Sequence, residues 1–226
     1  MVVEPFLVVP VKPSSGSKQR LASALPDPGR ELISLTLAVR VISLAAQVWP
    51  AGTVVVVSSE PGLTPICQRL GVARIADSGA GQTAAVRSGV CWSLERGATV
   101  VATVAADLPG VGMEDLLHML RTARGLAPGA MAIYSDREGS GTNGVVVRPG
   151  SLLVHSFGPG SSRRHERIAA QLGLRFRVED VAGLQWDLDR PEDLESTEAA
   201  SSHPLLSWAV QLSQDSPQTA RADVGG

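Results

Sequence analysis

Three aspartates and one cationic loop are the residues of this chain best suited to chemistry. Asp107 ends ATVVATVAADLPG, a run that is apolar for most of its length. A carboxylate there is either a helix cap or a metal ligand, and Pro109 with a helix starting only at Gly112 weakens the cap. In WDLDRPEDL, Asp187 and Asp189 stand two apart, so on a strand they point to the same side. Like charges side by side repel, and a divalent cation or a strong cationic partner is expected between them. The alternative is that Asp189 caps a helix opened by Pro191 while Asp187 is solvated. PVKPSSGSKQRLA, residues 10 to 22, places Lys12, Lys18 and Arg20 in a Ser/Gly-rich loop directly after a β-branched run. Small residues let backbone N–H groups approach an anion while the cations neutralise it, although a solvated basic loop has the same composition. The phosphate-loop pattern GxxxxGK[ST] is absent.

Two glycine-rich corners add donors without charge. GSGTN, inside DREGSGTNGVVV, offers Thr142, and FGPGSSRRH offers Ser161 and Ser162 with exposed backbone N–H groups. Arg163, Arg164 and His165 then begin a helix where the dipole already favours an anion; an anionic ligand would account for them, as would ordinary surface arginines. GAGQTAAVRSG, residues 79 to 89, is a Gly-rich helix start whose backbone could face a flat base. His118, His155 and His203 show no ligand spacing and read as surface or packing residues. No nucleophile elbow supports Ser/His/Asp catalysis.

The elements that must hold these residues alternate between short β-branched runs and longer segments of helical period, the pattern of a mostly parallel sheet covered on both faces. Strands are expected at 6–12, 53–59, VARIA, 98–110, AMAIYS, NGVVVRP, LRFRVEDV and LQWDLD, and helices at 30–47, 65–70, 82–96, MEDLLHMLRTARG, 163–172 and after Pro191. The expected fold class is α/β, with one domain over residues 1–198 and a tail over 199–226, partly docked or disordered. Leu205, Leu206 and Trp208 in that tail offer apolar surface for a homodimer.

A net charge of −2 and a pI near 6.1 give no global basic field, which argues against general nucleic-acid binding and leaves room for a local anion pocket. Residues 32–49 are the most membrane-like, but Arg40 at their centre would cost about 2.5–3.5 kcal/mol to insert, so a buried helix is expected and no membrane partner. The first residues, MVVEPFLVVPVKP, do not read as a secretory signal. Cys67 and Cys91, the only cysteines, have no disulfide or zinc spacing and are expected to be small buried residues in a reducing cytoplasm.

In order along the chain, PVKPxxxxKxRLA, ADLP, DRxGSGTN, FGPGSxxxH and DxDxPxDL resemble the guanylyltransferases of coenzyme F-420 biosynthesis, which join GTP to 2-phospho-L-lactate or phosphoenolpyruvate; the resemblance spans about residues 6–195. It implies a three-layer α/β/α Rossmann-like nucleotidyltransferase fold. It implies that Asp107, Asp187 and Asp189 hold Mg²⁺, that Lys12, Lys18 and Arg20 meet the triphosphate, and that Thr142, Gly158 and Ser161 bind the phosphorylated acid. Residues 79–89, with Gly79, Gly81, Gln82 and Gly89, would lie near guanine and ribose. Gln82-Thr83-Ala84-Ala85 departs from the Asn-rich helix start usual in the family, and Ser140 stands where Thr is common.

The reaction so implied is in-line attack of an acceptor phosphate oxygen on the α-phosphorus of GTP. A phosphate monoester with its second pKa near 6 is already ionised at neutral pH, so no general base is needed. Two other readings stay open. One is a nucleotidyltransferase of the same fold acting on a sugar phosphate or molybdopterin, whose families begin with an LAGGxSxRMGxxK loop unlike VVPVKPSSGSKQR. The other is a non-catalytic nucleotide-binding module.

Overall fold

Seven short strands, β1 (Pro5–Pro10), β2 (Val54–Val57), β3 (Ala73–Ile75), β4 (Val100–Val104), β5 (Ala130–Ser135), β6 (Thr142–Val147) and β7 (Arg175–Glu179), form one sheet in the order β3-β2-β1-β4-β6-β5-β7. Every pairing is parallel except those of β6, which runs antiparallel to both β4 and β5. The computed structural model describes residues 4–148 and 154–195. The proposed tail, His203 and the apolar residues Leu205, Leu206 and Trp208 lie outside the described residues, as do Met1 to Val3 and Pro149.

The helices are α1 (Asp27–Val48), α2 (Leu63–Leu70), α3 (Gln82–Leu94), α4 (Met113–Gly125), α5 (Ser161–Gln171), α6 (Ala182–Gln185) and α7 (Pro191–Glu195). β1, β2 and β4 are buried on both faces, which is why they read as continuous Val-rich runs rather than alternating ones. Leu7, Val9, Val56 and Ala102 meet α1, α2 and α4 on one side, while Phe6, Val8, Val55 and Val101 meet α3 on the other. Farther along that second side, Met131, Ile133 and Val145 pack on α5 through Ala169. The result is the three-layer α/β/α arrangement.

All of the membrane-like segment but Trp49 falls in α1, which by length and composition is apolar enough to cross a bilayer. Instead Ile33, Leu37, Ala38, Val41, Ile42 and Ala45 are buried in the domain, and the Arg40 guanidinium donates to the Val111 carbonyl at 2.7 Å.

Two expectations are corrected. Residues 186–189 belong to no strand; they form an extended connection that touches the end of β4 through Leu188 N–H donating to the Asp107 carbonyl at 3.1 Å. The alternation survives without a ladder, because Trp186 and Leu188 are buried while Asp187 and Asp189 face the cleft. Cys67 is buried as expected, but Cys91 on α3 is only half-buried; both are free thiols.

A small satellite core explains how distant segments meet. Leu21 and Leu25 after the basic loop, Ile33 and Leu37 of α1, and Trp186, Leu188 and Leu194 form one apolar cluster. Burying side chains of this size contributes about 1.5–3 kcal/mol each. That cluster fixes the cationic loop against the acidic connection.

Candidate active site

The loop after β1, the exit of β4 and the 186–190 connection converge beyond the carboxyl ends of the parallel strands, where sheets of this kind bind ligands. At their centre the Lys18 ammonium donates to Asp107 Oδ2 at 2.5 Å and to Asp189 Oδ1 at 3.0 Å. The Lys18 side chain is only 6% exposed, against 35% for Asp107 and 40% for Asp189. Burial alone would lower the Lys18 pKa, but the two carboxylates outweigh it and raise it, so the group stays charged. Lys18 is also the sole non-glycine residue with positive φ, at 52°, among the described residues. A strained backbone there places the ammonium between two acids.

Arg20 joins from the rim, 3.5 Å from Asp189 Oδ2, and Lys12 stands exposed on the same cleft. Burial works against an ionised Asp189, but Lys18, Arg20 and Lys12 overcome it and hold the carboxyl below its usual range. Asp187 goes the other way, raised to about 6 by burial first and then by the charges of Asp107 and Asp189.

Two acids to which the sequence reading gives no role build this geometry. Glu60, just past β2, accepts from Ser14 N–H at 2.8 Å and from the Ser14 hydroxyl at 2.7 Å, pinning the cationic loop. Those bonds, the backbone one foremost, hold its carboxyl below the usual range despite opposition from burial. Asp193 in α7 accepts from Asp189 N–H at 2.9 Å and Arg190 N–H at 2.7 Å. The cap of α7 is thus Asp193 folded back, which frees the Asp189 carboxylate for the cleft and removes the capping alternative. Asp107 is likewise engaged by Lys18 rather than by a helix start; Gly112 N–H is taken by Asp115 at 2.7 Å.

The two glycine-rich corners meet across the cleft. Ser162 N–H donates to the Ser140 carbonyl at 3.1 Å, joining the turn before β6 to the start of α5. Within the turn, the Asp136 carboxylate accepts from Ser140 N–H at 2.8 Å and Gly141 N–H at 2.7 Å. A Cβ on Gly141 would lie 2.4 Å from Asp136 Oδ2, so this glycine is required by a carboxylate of the chain itself.

The basic start of α5 is also used internally. The Arg164 guanidinium bonds the carbonyls of Phe157 at 2.9 Å and Gly158 at 3.1 Å and, through Nε, the Ser156 hydroxyl at 3.1 Å; it also contacts the Pro159 carbonyl. Arg164 therefore shapes the loop that carries Gly158, while Arg163 is exposed and does not line the cleft. His165 is fully buried, with Nδ1 3.1 Å from Thr142 Oγ1 and Nε2 accepting from Ser156 N–H at 3.0 Å. Burial first, then the Arg164 charge, push its pKa down to about 4 against an opposing pull from the Ser161 backbone.

Of the residues that the family resemblance assigns to the site, all but one line a single cleft of about 920 Å³, whereas Ser162, Arg163, Arg164 and His165 do not line it. Lys12, Lys18 and Arg20 with the three aspartates occupy the middle; Thr142, Gly158 and Ser161 lie toward α5; Gly79, Gly81 and Gln82 lie toward the start of α3. The exception is Gly89. It sits in the middle of α3 against the sheet, where a Cβ would come 2.4 Å from Val8 Cγ1 and 3.0 Å from Val57 Cγ2. It is a packing glycine that lets the helix approach β1 and β2, and not a ligand contact.

Among the described residues, no three His, Cys, Asp or Glu side chains close around one point as a ready ligand cluster. In the middle of the acids the Lys18 ammonium bridges Asp107 and Asp189, as a cation would. Two carboxylates gathered on one cation, with a third beside them whose pKa their charge raises, are a hard oxygen donor set of the kind that suits Mg²⁺.

A mostly parallel seven-stranded sheet with one antiparallel strand, covered by helices on both faces, is an α/β fold of the nucleotide-diphospho-sugar transferase type. Solved structures share this fold. One from Desulfovibrio desulfuricans G20, provisionally described as a nucleotide-diphospho-sugar transferase, superposes with a TM-score of 0.69 at 14% identity over 93% of this chain and 96% of that one. A nucleotidyl transferase from Methanothermobacter thermautotroptrophicus gives 0.59 at 15% identity over 84% and 94%.

The chain belongs to the guanylyl transferase CofC-like family, whose model matches residues 6–198. A phosphoenolpyruvate guanylyltransferase of Rubrobacter xylanophilus is 38% identical over 195 residues, covering 86% of this chain and 94% of the relative. One of Conexibacter woesei is 31% identical over 192 residues, covering 84% and 86%.

Proposed function

We propose that this enzyme transfers GMP from GTP to the phosphate of a small phosphorylated three-carbon acid, phosphoenolpyruvate or 2-phospho-L-lactate, with release of pyrophosphate, as a step of coenzyme F-420 biosynthesis. The observation that carries the reading is the division of one cleft into an acidic and cationic centre, flanked by hydroxyl and glycine corners on one side and the Gly79–Gln82 turn on the other. A triphosphate fits the centre, an acceptor phosphate the Thr142 side, and a base the start of α3. The family match and the names of the relatives agree with this assignment. Residues 1–198 would be the transferase domain and 199–226 a tail, consistent with the family match ending at 198. The two free thiols favour a cytoplasmic setting.

The obstacle to such a reaction is the approach of two polyanions, and the chain's own groups address it directly. Lys12 and Arg20, exposed on the cleft, neutralise phosphate oxygens, while Thr142 and Ser161 present hydroxyls to the acceptor. Asp107, Asp187 and Asp189 would hold Mg²⁺, which when bound supplies charge neutralisation at the α-phosphate and pyrophosphate oxygens. The acceptor phosphate is the nucleophile in its ionised form, so no side chain has to remove a proton. His165 is consistent with that, since it is buried behind Thr142 and neutral at physiological pH.

Incubating the protein with GTP, Mg²⁺ and a panel of phosphorylated acids while following pyrophosphate tests the proposal. Pyrophosphate is expected only when a phosphorylated acid is present. GTP binding with no pyrophosphate from any acceptor would instead make this a nucleotide-binding module.

A further inference from the structure

The Thr142 hydroxyl belongs to a cleft-lining residue of the turn that meets the start of α5, and what it can donate to depends on a neighbour. A hydroxyl has one hydrogen and can also accept. Its partner inside the protein is His165 Nδ1 at 3.1 Å, and the direction of that bond depends on which ring nitrogen carries the proton. The other nitrogen decides it. Ser156 N–H can only donate, and it lies 3.0 Å from His165 Nε2, so Nε2 must offer a lone pair. A neutral imidazole with an unprotonated Nε2 has its hydrogen on Nδ1. Nδ1–H then donates to Thr142 Oγ1, and the Thr142 hydrogen is turned away from the histidine.

We propose that His165 is a positioning residue for the acceptor: by holding the Nδ1–H tautomer against Thr142 Oγ1, it compels the Thr142 hydroxyl to donate into the cleft, toward an anionic oxygen of the phosphorylated acid. The identity of that anion rests on the guanylyltransferase reading; the tautomer does not. Two further features keep the ring in place. Phe157 packs edge-on against it with centroids 5.4 Å apart, and Arg164 clamps the Ser156 hydroxyl whose backbone N–H feeds Nε2. The depressed pKa keeps the ring neutral through the physiological range, as a single-proton relay requires. A ligand atom that accepts a hydrogen bond is favoured at this point, and one that only donates is rejected because it would meet the Thr142 hydrogen.

Long-range ¹H–¹⁵N spectra of the wild-type protein labelled in histidine read the tautomer directly and need neither substrate nor turnover. The expected result is Nδ1 protonated and Nε2 unprotonated at His165, unchanged between about pH 6 and pH 8. An Nε2–H tautomer, or a ring that titrates in that range, would overturn the proposal whether or not the enzyme uses phosphoenolpyruvate.

Kinetics then test the route through Thr142. His165→Phe is expected to raise the acceptor KM about tenfold and leave the GTP KM within about twofold, the size of one lost charge-assisted hydrogen bond. His165→Asn, which can return a donor near Nδ1, is expected to recover most of that loss. In a Thr142→Val background, His165→Phe should change the acceptor KM no further; independent, multiplying effects of the two substitutions would contradict a relay.

Discussion

Lys18 and Asp189 stand 3.0 Å apart although 171 positions separate them in the chain, and Asp107 shares the same ammonium at 2.5 Å. A loop expected to meet phosphate therefore supplies a cation to the acids of the same cleft.

Lys18→Met tests that relationship. Removing one member of a fully buried pair costs about 3–5 kcal/mol. Asp107 and Asp189 are 35% and 40% exposed, and screening reduces the expectation to about 1–2 kcal/mol. Without added metal, the Tm of the variant should fall by roughly 2–8 °C. Millimolar Mg²⁺ should restore more stability to the variant than it adds to the wild type, because the ammonium no longer competes for the acids. Equal Tm values and equal Mg²⁺ responses by calorimetry would show that the pair carries no weight.

The buried histidines set an acid limit on stability. His165 is pushed to about 4 and His155 to about 3, both chiefly by burial, whereas unfolded histidine sits near 6.5. Below about pH 6.5 the unfolded chain takes up protons that the folded chain refuses, so stability is full above that pH and is lost as pH falls toward the folded values. Each histidine is expected to contribute a loss of about 2 kcal/mol between pH 6.5 and about pH 5. His155→Phe keeps a ring stacked on Phe157 and should remove its own share of that loss, about 2 kcal/mol, while Asp187, raised to about 6, acts in the opposite sense over the same interval in both proteins. A slope identical to wild type would place the acid sensitivity elsewhere.

Gly89→Ala separates packing from binding. The added methyl has Val8 Cγ1 at 2.4 Å and Val57 Cγ2 at 3.0 Å, both on strands that cannot yield, and overpacking of this kind costs about 1–3 kcal/mol. The expected outcome is a lower Tm with the KM for GTP unchanged in whatever fraction folds. A normal Tm with a raised GTP KM would return Gly89 to the nucleotide site.

Much of the site was legible because its residue types are unusual for their surroundings. Carboxylates at the end of an apolar strand, and two acids bracketing a leucine, announce themselves without a fold. The supporting shell was not, since Glu60, Asp136 and Asp193 act on backbone N–H groups and any acidic residue in a loop looks alike in sequence. Two signals were available in hindsight. Asp193 sits third in a helix opened by Pro191, the position from which an acid reaches back to the preceding N–H groups, and Asp136 precedes a Gly-Ser-Gly turn it could bond. Gly89 was misread because a helix-packing glycine and a ligand-contact glycine are identical in type, and only the 2.4 Å approach of Val8 tells them apart. The 186–189 segment alternates like a strand because its leucine and tryptophan are buried, yet alternation reports burial and not ladder pairing.

Gly141→Ala probes the acceptor corner from its foundation. The new Cβ would displace the Asp136 carboxylate that holds Ser140 and Gly141, and with it the turn that aims Thr142. The acceptor KM is expected to rise about tenfold or more, with the GTP KM little changed, because a misplaced donor costs at least one hydrogen bond. A change confined to the GTP KM would assign this corner to the nucleotide.

The central claim is that an acceptor phosphate oxygen attacks the α-phosphorus of GTP, and mass analysis of the products tests it most directly. With GTP, Mg²⁺ and phosphoenolpyruvate or 2-phospho-L-lactate carrying ¹⁸O in its phosphate, the account expects a GMP adduct joined through a diphosphate that retains the label, with unlabelled pyrophosphate in equal amount. Label in the pyrophosphate, or GTP consumed without an adduct, would contradict it.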